Sequence, residues 1–365
     1  MSGADGSLRG GPVTAAAAGL AGSIRVERAT RATRVTALVA LALLGVLATL
    51  PAWGTSGAIR FLVEFLTLLA MAQMWNLLAG YAGLVSIGQQ AFVGVGAYGL
   101  FVCTDLLRLG PVPATALTAV IALAVGLVTS LFAFRLRDGY FAVGTWVIAE
   151  VIRIIVLNSR QLGAGTGVSI RSLGDMTVSD RQALTYWLAL AVGFGSILVV
   201  ALIMRSRLGL ALRAIRDSEL GAAGLGVDVQ RTKRLIFFVA AVGCAIAGAV
   251  YYLQLLRIQP NAAFGVDWTA RMIFIVVIGG LGRIEGPIVG AIVFFALREL
   301  LADYGAAYLA ALGLVAIAVV VVAPRGLWGL VESRVPALFA VQRRLVVTRP
   351  AGAASIDRRE EPERT

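Results

Sequence analysis

The side chains able to do chemistry are few, and several lie inside long apolar runs. Glu150 and Arg153 are three residues apart, so on a helix they share a face and can pair. Glu64 lies in another apolar run, near an end where its side chain could reach the membrane surface. Ionisable residues within a membrane are costly and suggest a function. For Glu150 and Arg153 two interpretations stand: a structural ion pair, or part of the wall of a substrate path.

Missing residue types exclude several kinds of chemistry. The chain has no histidine, which removes histidine-based catalysis and most transition-metal sites. Cys103 and Cys244 stand alone in apolar runs, without the spacing of metal ligands. The only lysine, Lys233, is followed by Arg234, whereas a phosphate-binding P-loop needs Lys and then Ser or Thr. We therefore expect no catalytic residues, no metal and no cofactor in this chain. An ATPase, if one is used, would be another subunit.

Repeated apolar runs dominate the 365 residues, of which 59% are hydrophobic and 14% charged. A soluble domain of this length could not bury so much apolar surface, and the runs are long enough to cross ~30 Å of hydrocarbon. We expect one all-α polytopic membrane domain over 35–330, with flexible cytoplasmic tails at 1–34 and 331–365. The net charge of +12 does not indicate nucleic-acid binding, because no soluble surface gathers basic residues with aromatic ones.

The apolar runs predict ten spans, and the loops between them predict the orientation. With the N-terminus inside, the inside segments hold 23 of the 32 basic residues, so both termini are predicted to be cytoplasmic. The spans lie near 35–52, 58–79, 82–104, 112–134, 139–157, 184–204, 235–256, 267–281, 286–302 and 306–323.

The stretch 76–99 is apolar, yet it is rich in glycine and in uncharged polar residues. A span that only sat in lipid would carry larger apolar side chains. Glycines would keep one side of the helix thin, and uncharged donors and acceptors could let a polar solute slide past. The alternative is close packing, with the amides bonded to neighbouring helices. The predicted translocation path comprises Asn76, Gly80, Gly83, Ser86, Gln89, Gln90, Gly94 and Glu150.

A second glycine pattern, at 279–291, predicts a short broken-helix region near 267–290. Gly282, Gly286 and Gly290 recur at every fourth residue, which would place them on one helix face open to a neighbouring backbone. A broken helix at membrane depth is tolerated where it borders protein or a cavity. The residues assigned to the break and its packing are Gly279, Gly280, Gly282, Gly286, Pro287 and Gly290.

The largest inside segment between spans, 205–234, is too long for a tight connection and predicts a helix near 209–223. Its apolar positions are interleaved with charges of both signs. A short amphipathic helix of this kind could lie on lipid headgroups. It could also dock a soluble partner, and the acidic residues among the basic ones favour docking.

Four motifs, in this order, resemble the permease subunits of branched-chain amino acid ABC importers, and in particular the type called LivM. They are NLLAGYAGLVSIGQQAFVGVGAYG, RLRDGYFAVGTWVIAEVIRIIV, ALRAIRDSELGAAGLGV and GGLGRIEGPIVGAIV, and the ending APRGLWG fits the same family. The similarity runs from about Leu62 to Gly329.

The resemblance implies a multi-pass type II importer permease of about ten helices, similar in architecture to the vitamin B12 importer, in a bacterial inner membrane. It implies a second permease subunit, two ATP-binding subunits that hold ATP and Mg, and an extracytoplasmic substrate-binding protein. Segment 205–234 matches the family's ATPase-docking loop, and the matching positions are Arg213, Arg216, Asp217, Glu219, Ala222 and Gly226.

The solute stays open within this resemblance. Branched-chain amino acids come first, while urea, short amides and other small organic solutes are carried by similar systems. Two alternatives belong to other classes: an ion-coupled secondary transporter or facilitator, and a membrane-embedded enzyme. The absence of histidine and of clustered carboxylates in the spans disfavours the enzyme.

Overall fold

The computed structural model describes residues 23–27, 31–136, 139–172, 176–301, 307–332 and 344–348, and most of them are helical. A π-helical turn continues the helix Ser56–Asn76 through Leu77–Tyr81, and another continues the helix Gln90–Phe101 through Val102–Leu106. In chain order the helices are α1 Arg31–Ala48, α2 Leu50–Trp53, α3 Ser56–Asn76, α4 Gln90–Phe101, α5 Pro111–Ala133, α6 Gly139–Asn158, α7 Val178–Arg205, α8 Arg207–Asp217, α9 Glu219–Gly224, α10 Val229–Leu255, α11 Pro260–Ala263, α12 Asp267–Gly279, α13 Glu285–Leu300, α14 Ala307–Val322 and α15 Gly326–Glu332.

Short strands pair outside the helices in the described ranges. Strands β1 (Ser23–Glu27) and β4 (Arg344–Thr348) are antiparallel, and so are β2 (Val168–Ser169) and β3 (Arg257–Ile258). The predicted tails, 1–34 and 331–365, fall mostly on residues outside the described ranges.

Eight helical segments of the described chain are long and apolar enough to cross a membrane, by length and composition. Two further predicted spans correspond to shorter helices, Gln90–Leu106 and α13. The all-α polytopic fold is therefore confirmed. The eight segments are Val35–Trp53, Ser56–Tyr81, Pro111–Ala133, Gly139–Asn158, Val178–Arg205, Val229–Leu255, Pro260–Gly279 and Gly313–Leu330.

Helix α10 lies at the centre of the bundle and packs against α3, α4 and α5. Burial decreases outward: 78% of the most apolar window of Ser56–Tyr81 is buried and 61% of that of Val229–Leu255, but only 6% of that of Val35–Trp53. Helix α1 is thus peripheral. The glycine-rich helix α4 is enclosed on all sides, because every residue from Gln90 to Leu100 is buried.

Helices α7 and α10 begin six residues before the spans predicted at 184–204 and 235–256. Their first turns are polar and capped. The Thr177 hydroxyl accepts a hydrogen bond from the Asp180 N–H at 3.1 Å, and the Asp228 carboxylate accepts one from the Arg231 N–H at 2.9 Å. Boundaries drawn from hydropathy miss such turns, because a capped helix continues past the apolar part of its sequence.

The predicted span 82–104 is wrong at its start, because α4 begins only at Gln90. The backbone before it is irregular and turns at Gly83, where φ is +69°, a conformation that favours glycine. Side chains hold this loop in place: Trp75 Nε1 donates to the Ser86 carbonyl at 2.9 Å, and the Gly88 N–H donates to Ser86 Oγ at 3.2 Å.

Candidate functional site

The predicted helix break is present between α12 and α13. Helix α12 ends at Gly279 and α13 begins at Glu285, with φ of +132° at Gly280 and +75° at Gly282 between them. Residues with a side chain rarely adopt such angles, so the turn depends on glycine. Pro287 lies in the first turn of α13, as predicted.

The predicted common face of three glycines is partly wrong. Gly282 precedes α13 and lies in the turn, so it shares no helix face with the other two. Gly286 and Gly290 do lie in α13, and a Cβ on either would overlap a backbone carbonyl oxygen, of Gly280 or of Ile275. The two short helices therefore pack backbone against backbone, as glycine pairs permit in membranes.

Two amide side chains of α3 hold the break. Asn76 Nδ2 donates to the Arg283 carbonyl at 2.8 Å, and its Oδ1 accepts from the Gly282 N–H at 2.8 Å. Gln73 Nε2 donates to the Ile284 carbonyl at 2.7 Å. Buried backbone groups that lack helical partners need other hydrogen bonds, and these two amides supply three of them.

Two further glycines, Gly80 and Gly326, lie in close contact with the backbone of the break. A Cβ on Gly80, in the π-helical turn that ends α3, would lie 2.5 Å from the Gly282 nitrogen. A Cβ on Gly326, where φ is +73°, would lie 2.5 Å from the Gly280 nitrogen. The APRGLWG ending is thereby packed on the break.

The inside segment 205–234 contains two helices where one was predicted at 209–223. Helix α8 ends at Asp217 and α9 begins at Glu219. Ser218 separates them in an extended conformation, and its hydroxyl accepts a hydrogen bond from the Gly221 N–H at 3.1 Å. Serine competes for local backbone groups in this way and favours a cap over a helix interior.

One side of this segment is anchored and the other is open. Ala222 is buried, and Glu219 forms an ion pair with Lys233 of α10. Leu220 and Leu225, in contrast, are 90% and 83% exposed. Gly226, at φ +83°, ends the pair of helices next to open space. These two exposed leucines are apolar positions on the open side of the segment.

Helix α8 also touches the break. A Cβ placed on Gly282 would lie 2.6 Å from Arg216 Nη1, so this guanidinium rests against the turn. Arg213, one turn before Arg216 on α8, is half-buried. The predicted docking loop and the predicted break are thus one connected structure. Asp217, the remaining charge assigned to docking, is exposed at the end of α8.

The glycines of α4 do not form one thin side. A Cβ on Gly94 would overlap the Phe264 ring, and one on Gly96 would overlap the Ala245 carbonyl oxygen. A Cβ on Gly99 would lie 3.1 Å from the Thr118 side chain. These neighbours belong to different elements, so α4 is closely packed on several sides.

The polar residues of this stretch differ in their surroundings. Gln90 is paired with Thr269 of α12. The backbone N–H of Gln90 donates to the Thr269 hydroxyl at 3.2 Å, and this hydroxyl donates to the side-chain Oε1 of Gln90. Gln89 is fully buried, and neither polar atom of its side chain has a hydrogen-bond partner among the described residues. The structure thus brings Asn76, Gly80 and the break together and places Gln89 and Gln90 at the start of α4.

Glu150 and Arg153 pair with each other, and Arg153 Nη1 also donates to Asn261 of α11 at 2.6 Å. The pair is only partly covered, with 45% of the Glu150 side chain and 25% of the Arg153 side chain exposed. Placing one charged side chain in the hydrocarbon core costs at least about 2.5–3.5 kcal/mol. A second ion pair joins Glu64 of α3 to Arg298 of α13.

Several contact residues were not found by sequence reasoning. Gln73 lies one turn before Asn76, and this spacing on one helix face was the available signal. Asn261 and Thr269 meet their partners from 108 and 179 positions away in the chain, which no local pattern indicates. Lys233 meets Glu219 across 14 positions, from a different helix. In the described residues, no cluster of three or more His, Cys, Asp or Glu could hold a metal ion.

Residues 57–324 match the family model described as branched-chain amino acid transport system, permease component. The LivM permease protein of the high-affinity branched-chain amino acid transport system of Escherichia coli is 27% identical over 278 residues. A probable LivM protein of Methanocaldococcus jannaschii is 25% identical over 190 residues, covering 52% of this chain and 55% of its own length. A fructose import permease protein, FruG, of Bifidobacterium longum is 27% identical over 207 residues, covering 52% and 60%.

The Escherichia coli alignment covers 69% of this chain and 65% of that relative, which is less than two thirds of the relative's length. No solved structure matches the chain. A multi-pass helical bundle with a glycine-built break between two of its helices, matched by this family model, is a membrane protein of the permease class. The chain belongs to the permease-component family of branched-chain amino acid transport systems, and the predicted family is confirmed.

Proposed function

We propose that this chain is the transmembrane permease subunit of an ATP-binding-cassette importer that moves branched-chain amino acids into the cell. The observation that supports this most is the family match over residues 57–324, together with relatives named as LivM permeases. ATP and Mg bind to partner ATPase subunits, and this chain hydrolyses nothing itself. The solute crosses by alternating access, as the partner subunits bind and hydrolyse ATP.

The contact between segment 205–234 and the helix break supports a coupling role for that segment. ATPase subunits would dock on the open side of α8 and α9, where Leu220 and Leu225 are exposed. Arg216 rests against Gly282, so a displacement of α8 reaches the break without an intermediate element. The residues assigned to the translocation path remain a prediction of this proposal.

The remaining partners follow from the same proposal. A second permease subunit completes the path, and an extracytoplasmic binding protein delivers the solute from outside. The assembly lies in the bacterial inner membrane with both termini of this chain in the cytoplasm. It contacts the bilayer and no nucleic acid.

The test is leucine uptake into proteoliposomes that contain the chain with its partner subunits and loaded binding protein. Uptake should require hydrolysable ATP and should stop with a partner ATPase whose catalytic base is removed. A protonophore should leave it unchanged. Uptake that survives an inactive ATPase but collapses with the protonophore would instead support an ion-coupled secondary transporter.

A different solute is the second candidate, and one observation favours it. A relative named as a fructose import permease also matches this chain, at 27% identity over 207 residues, against 278 residues for the Escherichia coli LivM protein. Titrating the binding protein with amino acids, urea, short amides and sugars separates these solutes.

A further inference from the structure

The ion pair on α6 keeps part of its hydrogen-bonding capacity open. Arg153 Nε lies 2.9 Å from both carboxylate oxygens of Glu150, Nη2 also bonds to Oε1, and Nη1 donates to Asn261. A guanidinium has five N–H donors on three nitrogens. All three nitrogens of Arg153 are bonded here, but these bonds do not need all five donors. With 45% of the Glu150 side chain exposed, both charges remain accessible from one side.

This accessible side lies within a membrane span, between its middle and one end. Glu150 is eight residues before the end of α6 at Asn158, which is ~12 Å along the helix, and Asn261 is the second residue of the span Pro260–Gly279. The flanking apolar side chains of Val147, Val151 and Ile154 are 46–55% exposed. Charged residues within membrane spans almost always face protein or a water-filled cavity, so we take this surface to border one of them in the assembly.

The chemistry of the cluster fits one class of solute. An α-amino acid carries an ammonium and a carboxylate on the same carbon, and Glu150 and Arg153 offer the complementary charges side by side. We infer that Glu150, Arg153 and Asn261 form a transient binding site for the zwitterionic head group of an α-amino acid in the translocation path. This inference rests on the proposed function and assigns the solute class to this site.

The arrangement also explains how the site would release its solute. The ion pair and the zwitterion are each neutral overall, so binding exchanges one set of ionic hydrogen bonds for another. No net charge is created at membrane depth, and the pair closes again when the solute leaves. A single unpaired charge would hold the opposite charge of the solute too tightly for rapid passage.

The pair of Glu64 and Arg298 provides a matched control. Its arginine is about as exposed as Arg153, 29% against 25%, while Glu64 is less exposed than Glu150, 25% against 45%. It joins two helices, and the Arg298 guanidinium lies 4.6 Å from the centre of the Phe295 ring. One face of this guanidinium is therefore covered by an aromatic ring. We assign this pair to holding α3 against α13.

The experiment uses the reconstituted importer with partner subunits and leucine-loaded binding protein. The double variant Glu150→Gln/Arg153→Gln removes both charges and leaves neither one unpaired. The maximal rate of leucine uptake should fall about tenfold, while the half-saturating concentration of binding protein stays unchanged and more ATP is hydrolysed per leucine. The control variant Glu64→Gln/Arg298→Gln should keep the native ratio of ATP to leucine.

A milder substitution tests the same site in case the double variant assembles poorly. Asn261→Ala removes one neutral, exposed side chain and should lower the maximal uptake rate about threefold in a fully assembled complex. Native rates in both Asn261→Ala and the double variant would overturn the site and leave the importer intact. If the native importer carries another solute and no α-amino acid, the proposed function fails as stated, and this site is overturned with it.

Discussion

The hydrogen bonds of Asn76 to the helix break give the sharpest prediction on stability. The variant Asn76→Ala removes both bonds and leaves the Arg283 carbonyl and the Gly282 N–H without their partner. Each unsatisfied buried group costs about 1–3 kcal/mol. Because both groups are only partly buried, we expect a total near the low end, about 2–3 kcal/mol. A change of this size lowers a melting temperature by about 4–12 °C in a domain of 150–250 residues, and by somewhat less in a longer chain.

The chain itself provides the assay. Cys103 and Cys244 are buried and free, so a thiol-reactive fluorophore will report unfolding of the detergent-solubilised protein as it is heated. Gln73→Ala removes one bond to the break and should give about half the shift. Thr67→Val serves as the control, because the Thr67 hydroxyl bonds only to carbonyls of its own helix. A midpoint for Asn76→Ala equal to that of Thr67→Val would refute the role of Asn76 in holding the break.

Three further predictions follow from the same contacts. Gly96→Ala should lower the thermal midpoint far more than Gly99→Ala. The Cβ at 96 would overlap the Ala245 carbonyl oxygen, whereas the Cβ at 99 meets only the Thr118 side chain, which can adjust. Equal midpoints for the two variants would contradict this. Leu220→Asp should abolish co-purification of the ATPase without lowering the thermal midpoint, because Leu220 is 90% exposed. The control Leu212→Asp changes a buried position and should prevent folding. If Leu220→Asp retains the ATPase, α9 is not part of the docking surface. Arg216→Gln should increase the ATP hydrolysed per solute at least twofold in complexes that retain the ATPase, because the contact with the break at Gly282 is weakened; a native ratio would exclude that contact as the coupling route.

Much of the architecture could be predicted because a helix that crosses a bilayer needs about 20 mostly apolar residues. Apolar length gave the spans, and the glycine pattern gave the break between α12 and α13. Helix ends were less accurate, because capped polar turns at Thr177 and Asp228 extend α7 and α10 beyond their apolar parts. Ser218 likewise divides a segment whose periodicity alone indicates one helix.

The contacts of the candidate site could be predicted only in part. Sequence spacing indicated the pair of Glu150 and Arg153, which the structure forms, because three residues on one helix determine their distance. It could not indicate that Asn76 holds residues more than 200 positions away, or that Arg216 rests on Gly282. Such contacts depend on how whole helices pack. The assignment of Gln89, Gln90 and Gly94 to a translocation path stays a prediction.

The most direct test of the central claim is to purify the chain from native membranes in mild detergent and identify what accompanies it. We expect two ATP-binding subunits and a second permease, with the ATP-binding subunits lost and the second permease retained in Leu220→Asp. A chain that purifies alone, or with copies of itself only, would contradict the importer and the docking role of segment 205–234.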